Sequence, residues 1–174
     1  MSASSIAPEL LARIAAALHT LGASVAVGES SSGGLVSAAL LGIDGASAWY
    51  KGGAVLYTRE SRITWNVWTE EDLRAYRGPT EAVVSGLASR VAAQLGAGYG
   101  VGESGIAGPN DIGRRFPAGY TVVAVSRPEG RAWTRVVRTG SKDRVENMHR
   151  FAHEALSLLA EVLESDVRER KAKL

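Results

Sequence analysis

Segments with strand-like and helix-like patterns alternate along this chain, and this order constrains the fold more than any other feature. A β-prone segment from Ser24 to Val27 leads into a turn and a helix, and Gly52 to Thr58 forms the next predicted strand. Later, residues 120–126 and 132–139 are typical of a hairpin. Strands alternating with helices, then a hairpin and a closing helix, predict an α/β fold, a three-layer α/β/α sandwich with a mixed, partly antiparallel sheet.

Apolar residues at helical spacing predict three longer helices. The first covers about residues 6–21, and the second lies between Thr80 as its N-cap and Gly96 after its end. The third begins after Ser141, which we expect to cap it, and its apolar stripe continues to residue 163. Residues 65–77 show no regular pattern, so we expect an irregular or loosely helical segment there.

Length and composition predict one domain over residues 1–164, followed by a charged tail at 165–174 that we expect to fray. With 20 Lys and Arg against 18 Asp and Glu, the basic charge is too small and scattered to indicate nucleic-acid binding. The sequence has no Cys, no recognisable leader and no apolar run long enough to span a bilayer. We therefore expect a cytoplasmic protein that binds neither nucleic acid nor membrane.

The segment Glu29-Ser30-Ser31-Ser32-Gly33-Gly34, here called the serine–glycine turn, joins a predicted strand to a predicted helix. A helix N-terminus offers unpaired N–H groups and partial positive charge, so such a turn can bind a phosphate or carboxylate. The alternative is a serine N-cap followed by a flexible glycine pair, and the pattern alone leaves both open. The turn is not a Walker loop, because no Lys follows the glycines.

The glycines Gly100, Gly102 and Gly105 match the spacing G-x-G-x-x-G, but they lie within a predicted strand. They lead into Ile-Ala-Gly-Pro and not into a helix, which favours close backbone packing or a tight loop over dinucleotide binding. Ser104 stands near the end of the same strand. Strand ends in open α/β sheets tend to face the ligand crevice, so Ser104 is a candidate site residue.

His149 and His153 are four residues apart on the last predicted helix, a spacing that two metal ligands can use. Charged residues share their helix face and no third ligand is evident, so we predict a solvated face and no metal site. No Ser-His-Asp signature is present either. The remaining candidates for chemistry are hydroxyl groups with a Lys or Tyr partner, namely Ser30, Ser47, Tyr57 and Ser104.

Blocks of sequence in a fixed order resemble the CinA C-terminal domain family, the nicotinamide-nucleotide amidases. The family pattern is Glu-Ser-Cys-Thr-Gly-Gly, Gly-Ser-Ser-Ala-Trp-Phe, a Gly-rich strand ending Tyr-Ser-Asn-Glu-x-Lys, Thr/Ser-Gly-Ile-Ala-Gly-Pro, and Lys-Pro-Val-Gly-Thr-Val. The matching blocks of this chain are Glu29–Gly34, Gly45–Tyr50, Gly52–Arg62, Ser104–Pro109 and Phe116–Thr121. The resemblance extends over nearly the whole chain.

This resemblance implies hydrolysis of the carboxamide of nicotinamide mononucleotide to nicotinic acid mononucleotide and ammonia, by a Ser/Lys dyad and without metal or other cofactor. Carried over by position, Ser47 is the expected nucleophile, and Tyr57 and Ser30 are supporting catalytic hydroxyls. The substrate-binding residues that it implies are Ser30, Ser31, Ser32, Gly33, Gly34, Arg62, Ser104, Lys142 and Arg144.

The departures from the family pattern concern charged residues. Arg62 stands where the family has its catalytic Lys, and a guanidinium cannot lose a proton to act as a base. Lys51 follows Ser47 by four residues and is a candidate replacement base if both lie on a helix. The family's Gly-Asp-Arg falls on Gly140-Ser141-Lys142 in one register, whereas a short insertion would place Asp143-Arg144 there.

Two functions stay open at this stage. The first is an active amidase on a pyridine nucleotide, and the second is a non-catalytic family member that binds a nucleotide or similar anion. A homodimer is expected from the family resemblance, with Trp65 and Trp68 expected to be partly exposed.

Overall fold

A five-stranded mixed sheet forms the centre of the molecule, whose computed structural model describes residues 6–127 and 129–173. Its strands are β1 (Val25–Glu29), β2 (Tyr50–Val55), β3 (Tyr99–Ile106), β4 (Tyr120–Ser126) and β5 (Ala132–Arg138). The strand order is β2-β1-β3-β4-β5. Strand β1 pairs in parallel with β2 and β3, whereas β4 is antiparallel to both β3 and β5. The predicted α/β fold with a mixed, partly antiparallel sheet is confirmed.

Helices cover both faces of this sheet. They are α1 (Pro8–Leu21), α2 (Leu35–Leu41), α3 (Arg59–Thr64), α4 (Glu70–Ala75), α5 (Glu81–Leu95) and α6 (Arg144–Ala172). Helices α1, α2 and α6 share a hydrophobic core on one face of the sheet. Helix α5 packs on the other face, with α3 and α4 beside it. The three layers expected from the sequence are therefore present.

Strand β4 shows how one apolar run serves two cores. Every residue from Tyr120 to Ser126 is buried. Successive side chains of a strand point to opposite faces, so Val123 and Val125 enter the core with α1 and α6, while Val122 and Ala124 pack in the cluster with α5. This two-sided burial explains why residues 122–125 form an unbroken apolar run and do not alternate with polar residues.

Local signals set the ends of α1 and α5 as predicted. Helix α1 has Pro8 in its first turn and is followed by Gly22 in the left-handed region, with φ of 61°. The Thr80 side chain accepts a hydrogen bond from the N–H of Val83, and Gly96 follows α5 with φ of 60°. Both helix predictions are confirmed.

The segment 65–77, expected to be irregular or loosely helical, contains the short helix α4. A capping box specifies its start: the Thr69 side chain accepts from the N–H of Asp72, whose carboxylate accepts from the N–H of Thr69. Both residues are evident in the sequence, but the helix is only 6 residues long, too short to show an apolar stripe.

Helix α6 differs from its prediction at both ends. Asp143 is its N-cap in place of Ser141, with its side chain accepting from the N–H of Glu146. The tail at 165–174 is expected to fray, but its residues 165–172 continue the helix, and residue 174 lies outside the described residues. This part of the helix is bound to α1, because Arg170 donates to the carbonyl oxygens of Thr20 and Leu21 at 3.1 Å each. Neither α6 nor another helix of residues 6–127 and 129–173 is both long and apolar enough to cross a membrane.

Glycines in β3 allow that strand to lie directly on the backbone of α5. A Cβ atom on Gly100 would overlap the carbonyl of Ala88, and one on Gly102 would lie 2.5 Å from the carbonyl oxygen of Val84. Gly105 continues the same strand and does not open a helix. The prediction of close backbone packing is confirmed.

We expect Gly100→Ala to lower the free energy of unfolding by about 1–3 kcal/mol, because the added methyl group must push β3 and α5 apart. The matched control is Gly86→Ala in α5, where a Cβ meets nothing within 4 Å. The control should be neutral or stabilising, because Ala is a better helix former than Gly. Urea denaturation measures both, and equal stability of the two variants would show that the close packing is not required.

Candidate functional site

Three polar side chains from separate parts of the chain meet beyond the carboxyl end of β1. Nη2 of Arg62, in α3, lies 3.3 Å from Oγ of Ser30 and 3.0 Å from Oγ of Ser104. Ser30 follows β1 directly, and Ser104 lies in the neighbouring β3. Their exposed fractions are 5%, 3% and 2% for Ser30, Arg62 and Ser104. We call these residues the Ser30–Arg62–Ser104 cluster.

Arg62 is a buried cation. Its Nε donates to the carbonyl oxygen of Leu56 at 3.1 Å, and its guanidinium stacks 4.4 Å from the centre of the Trp68 ring. Nη1 is buried without a hydrogen-bond partner among the described residues. Burial lowers the pKa of Arg62, while nearby Tyr76 and Glu103 oppose that shift. An arginine starts from a pKa above about 12, so the side chain stays charged and cannot serve as a base.

The aromatic side chains predicted to be exposed differ from each other. Trp65 is 51% exposed, as expected, but Trp68 is 6% exposed because it covers the guanidinium of Arg62. The Tyr76 ring centre lies 5.6 Å from the Arg62 guanidinium carbon, and this ring contacts Trp68 at a tilt of 50° and completes the cover. The segment that carries α4 therefore closes one side of the cluster.

Two backbone N–H groups of the serine–glycine turn, and two more in the first turn of α2, bind carboxylates of the chain itself. Glu103 accepts from the N–H groups of Ser30 and Ser32 at 3.1 and 2.8 Å through Oε2. Glu29 accepts from the first N–H groups of α2, those of Val36 and Ser37, at 3.1 and 3.0 Å. The sequence pattern allows a ligand phosphate on such donors, but these four are bonded to carboxylates of the fold. The turn is capped, as in the alternative interpretation, but the capping group is Glu29.

Two of the three serine hydroxyls of the turn are also bonded within the fold. Oγ of Ser31 donates to the carbonyl oxygen of Gly105 at 2.5 Å and accepts from its N–H at 3.0 Å. Oγ of Ser32 lies 2.6 Å from Glu29 Oε2 and 3.0 Å from Glu103 Oε2. Ser31 and Ser32 were carried over as binding residues, but their hydroxyls are used within the fold. Ser30 is the serine of this turn whose hydroxyl belongs to the cluster.

Gly33 and Gly34 give the turn its shape. Their φ angles of 67° and 100° lie in the left-handed region, which side chains other than glycine rarely adopt. A Cβ atom on Gly33 would also lie 2.8 Å from the terminal methyl group of Met148 in α6. These glycines therefore allow the turn to pass close to α6, and this geometry accounts for their presence without a ligand.

Glu103 is a buried acid that none of the sequence motifs above includes. It is fully buried, and its Oε1 also accepts from the hydroxyl of Thr121 at 2.9 Å. Burial raises the pKa of Glu103, and the hydrogen bonds from Ser32, Thr121 and Ser30 oppose the rise. A signal was available in the sequence, because a carboxylate inside a buried strand must find donors or remain protonated.

Tyr57 and Arg144 form the rim of the site. Arg144 Nη2 donates to the Tyr57 hydroxyl at 3.0 Å, and Nη1 donates to the carbonyl oxygen of Gly108 at 2.7 Å. Arg144, the arginine that the register with a short insertion would use, therefore contacts Tyr57. Lys142 is exposed and contributes its backbone carbonyl near Gly108.

Ser47 and Lys51 lie at the other end of the sheet. Val25, the first residue of β1, pairs with Tyr50, whereas Glu29 at its end pairs with Val55. Ser47 precedes β2 and Ser30 follows β1, so about five residues of strand, roughly 15 Å, separate them. Lys51 is in β2, so the helical spacing assumed for the pair does not exist. The expected roles of Ser47 as nucleophile and Lys51 as its base at this site are therefore corrected.

The two histidines of α6 do not assemble a metal site with other residues. His153 lies 3.5 Å from the hydroxyl of Ser157 through Nδ1. Across residues 6–127 and 129–173 there is no group of three or more His, Cys, Asp or Glu side chains that could hold a metal ion.

Comparison with known proteins places these observations in a family. The sequence model of the CinA C-terminal domain matches residues 8–163. The chain belongs to the CinA C-terminal domain family. A CinA-like protein of Acidobacterium capsulatum is 35% identical over 142 residues, which is 82% of this chain and 34% of that protein. The chain thus spans about a third of the length of the CinA-like proteins that it matches.

Shorter relatives and solved structures match this CinA domain over most of their length. The nicotinamide-nucleotide amidohydrolase PncC of Shigella flexneri is 34% identical over 139 residues, which is 79% of this chain and 84% of that protein. The crystal structure of a CinA superfamily protein from Klebsiella pneumoniae has a TM-score of 0.82 at 28% identity and covers 90% of this chain and 97% of that chain. The competence/damage-inducible protein CihA from Agrobacterium tumefaciens gives 0.81 at 29% identity, with 90% and 94% covered.

The buried acid of this CinA domain predicts a specific pH dependence. Because the pKa of Glu103 is raised in the folded protein, its stabilising contribution is complete below the unfolded value of about 4.3 and is lost as the pH rises through the folded value. Glu103→Gln keeps a neutral acceptor and donor in place. As the pH rises, the unfolding free energy of Glu103→Gln should therefore fall less than that of the wild type. The difference is about 1.4 kcal/mol for each pH unit between the unfolded and the folded pKa of Glu103.

Urea denaturation from pH 4 to 8 measures this difference. The exposed Glu71→Gln in α4 is the matched control and should follow the wild-type curve. Parallel curves for Glu103→Gln and the wild type would contradict the assignment of a raised pKa to Glu103.

Proposed function

We propose that this chain is a slow amidohydrolase that converts the carboxamide of nicotinamide mononucleotide to the carboxylate and ammonia. Family membership and the relative PncC support this substrate class. The observation that carries the proposal is the Ser30 hydroxyl beside the buried guanidinium of Arg62 and the hydroxyl of Ser104. A nucleophile next to fixed hydrogen-bond donors is the arrangement that acyl transfer requires.

In the proposed reaction Oγ of Ser30 attacks the carboxamide carbon, and the carbonyl oxygen becomes an oxyanion. Arg62 and the Ser104 hydroxyl donate hydrogen bonds to that oxygen. The carbon–nitrogen bond then breaks, and the amide nitrogen leaves as ammonia with the proton that Ser30 has lost. Water hydrolyses the ester on Ser30, which releases the carboxylate and restores the hydroxyl.

The proposed rate is low because the cluster lacks a base. Arg62 occupies the position where the family pattern has Lys, and its guanidinium holds its proton. Among the described residues the Ser30 hydroxyl has one hydrogen-bonding partner, Nη2 of Arg62. General base catalysis contributes about 10²–10⁴-fold to such reactions, so its absence leaves a slow enzyme.

The second candidate is a family member that binds a nucleotide or similar anion without hydrolysing it. The buried, unpaired guanidinium of Arg62 favours this function, because it attracts an anion and cannot accept a proton. At the rim, the positive charge of Arg144 and the hydroxyl proton of Tyr57, which accepts from Arg144, suit a phosphate group in either function.

We expect Arg62→Lys to release ammonia from nicotinamide mononucleotide at least about tenfold faster than the wild type, because a buried lysine can become neutral and accept the Ser30 proton. Ser30→Ala should reduce release to the uncatalysed rate in both backgrounds. Ser47→Ala is the matched control, since Ser47 is an exposed serine at the opposite end of the sheet, and should leave the rate unchanged.

Ammonia release under initial-rate conditions distinguishes the two candidates. Binding of the nucleotide without ammonia from the wild type or from Arg62→Lys would establish the second candidate. A rate that survives Ser30→Ala but is lost in Ser47→Ala would refute Ser30 as the nucleophile.

A further inference from the structure

Among the described residues, the positive charge of Arg62 has no partner of opposite sign in direct contact. Arg62 is 3% exposed, and the ion pairs among the described residues do not include it. Glu103, the buried acid whose charge acts on Arg62, has its oxygens bonded to the turn amides and to Thr121. Buried charges in proteins are ordinarily paired, because an isolated charge loses its hydration without compensation.

The cluster around this charge offers hydrogen-bond donors. Oγ of Ser30 and Oγ of Ser104 each accept from Nη2 of Arg62, which leaves the proton of each hydroxyl free to donate. Neither hydroxyl has another partner in the described part of the chain. Nη1 of Arg62 is also buried and unpartnered, and it adds further N–H donors. A ligand that fits here must bring acceptors.

We infer that the Ser30–Arg62–Ser104 cluster is a carboxylate-selective binding site, which takes the acid form of a planar aromatic ligand in preference to its carboxamide. The inference rests on the proposed function for the choice of ligand only. It goes beyond that function because it assigns the tightest binding to the reaction product and not to the substrate.

The difference between the two ligands is chemical and not steric. A carboxylate has two acceptor oxygens, neutralises the guanidinium and forms charge-assisted hydrogen bonds with it. A carboxamide of nearly the same shape has one acceptor oxygen and an NH₂ group, which meets N–H and O–H donors in this cluster. With the amide, the buried charge therefore gains no counter-ion beyond Glu103, which is already bonded to the turn and to Thr121.

The closure of the site favours a small planar anion over a larger one. The members of the cluster are 2–5% exposed, and Trp68 covers the guanidinium at 4.4 Å. A tetrahedral phosphate has more room at the rim, where Arg144 is exposed beside Tyr57. A ligand must move the Trp68 cover to reach Arg62, so its arrival should change the fluorescence of Trp68.

Calorimetric titration of the whole chain at pH 7 with nicotinic acid mononucleotide and with nicotinamide mononucleotide tests the inference. We expect the acid to bind at least about tenfold more tightly than the amide. Ammonia is measured in the same samples, so any conversion of the amide is detected. Inorganic phosphate serves as a competitor. If it binds at the rim, it should lower the apparent affinities of both nucleotides by the same factor.

Three variants assign the preference to the cluster. Arg62→Gln should reduce the preference for the acid to less than about twofold. Ser104→Ala keeps the positive charge and should weaken binding of the acid more than binding of the amide. Arg144→Gln is the control at the rim. It should lower the affinities for the acid and for the amide by the same factor, so that the ratio of the two affinities stays unchanged. If circular dichroism shows that Arg62→Gln does not fold, two other measurements test the inference. The first is the ratio of acid to amide affinity in Ser104→Ala. The second is the fluorescence change on binding, which should be absent in Trp68→Phe.

Equal affinities, tighter binding of the amide, binding of neither ligand, or an unchanged ratio in the Ser104→Ala variant would overturn the inference. These outcomes are separate from those of the proposed reaction. A tenfold preference for the acid without ammonia release supports the inference and refutes hydrolysis. Ammonia release with equal affinities for the two ligands supports hydrolysis and refutes the inference.

Discussion

Hydrogen bonds from the serine–glycine turn to two buried carboxylates determine how this end of the sheet is built. Glu103 binds the N–H groups of Ser30 and Ser32, and Glu29 binds those of the first turn of α2. These acids take the donors that would otherwise bind an external anion, and they compensate the partial positive charge of the helix N-terminus from within. Because the turn is fixed by its backbone, the hydroxyl of Ser30 is free to contact Arg62.

Arg62 then decides the chemistry of the site. Its guanidinium connects the hydroxyl of Ser30, which follows β1, to the hydroxyl of Ser104, which lies in β3. The ring of Trp68 covers this guanidinium. A lysine at this position could exist without its proton, whereas arginine keeps a permanent charge. The substitution exchanges a base for a fixed cation. Both the proposed slow hydrolysis and the inferred preference for a carboxylate rest on this single change.

The sequence predicted the fold well because the fold depends on local patterns. Proline and glycine at the ends of α1, and Thr80 and Gly96 around α5, act within a few residues. Ordered sequence blocks identified the members of the cluster but not their arrangement. The direction of the turn amides depends on Glu103, which is more than 70 residues away in the chain, and no periodicity reports such a contact. Ser47 was misplaced because a matching motif does not show at which end of a strand it lies.

Hydrogen exchange of the amides of Ser30 and Ser32, followed by NMR, tests most directly the claim that the turn binds its own carboxylates. The account predicts that both exchange slowly, with protection close to that of Val27 within β1, although they belong to a turn. The amide of Gly113 in an exposed loop provides the fast reference. Exchange of Ser30 and Ser32 as fast as that of Gly113 would contradict the account.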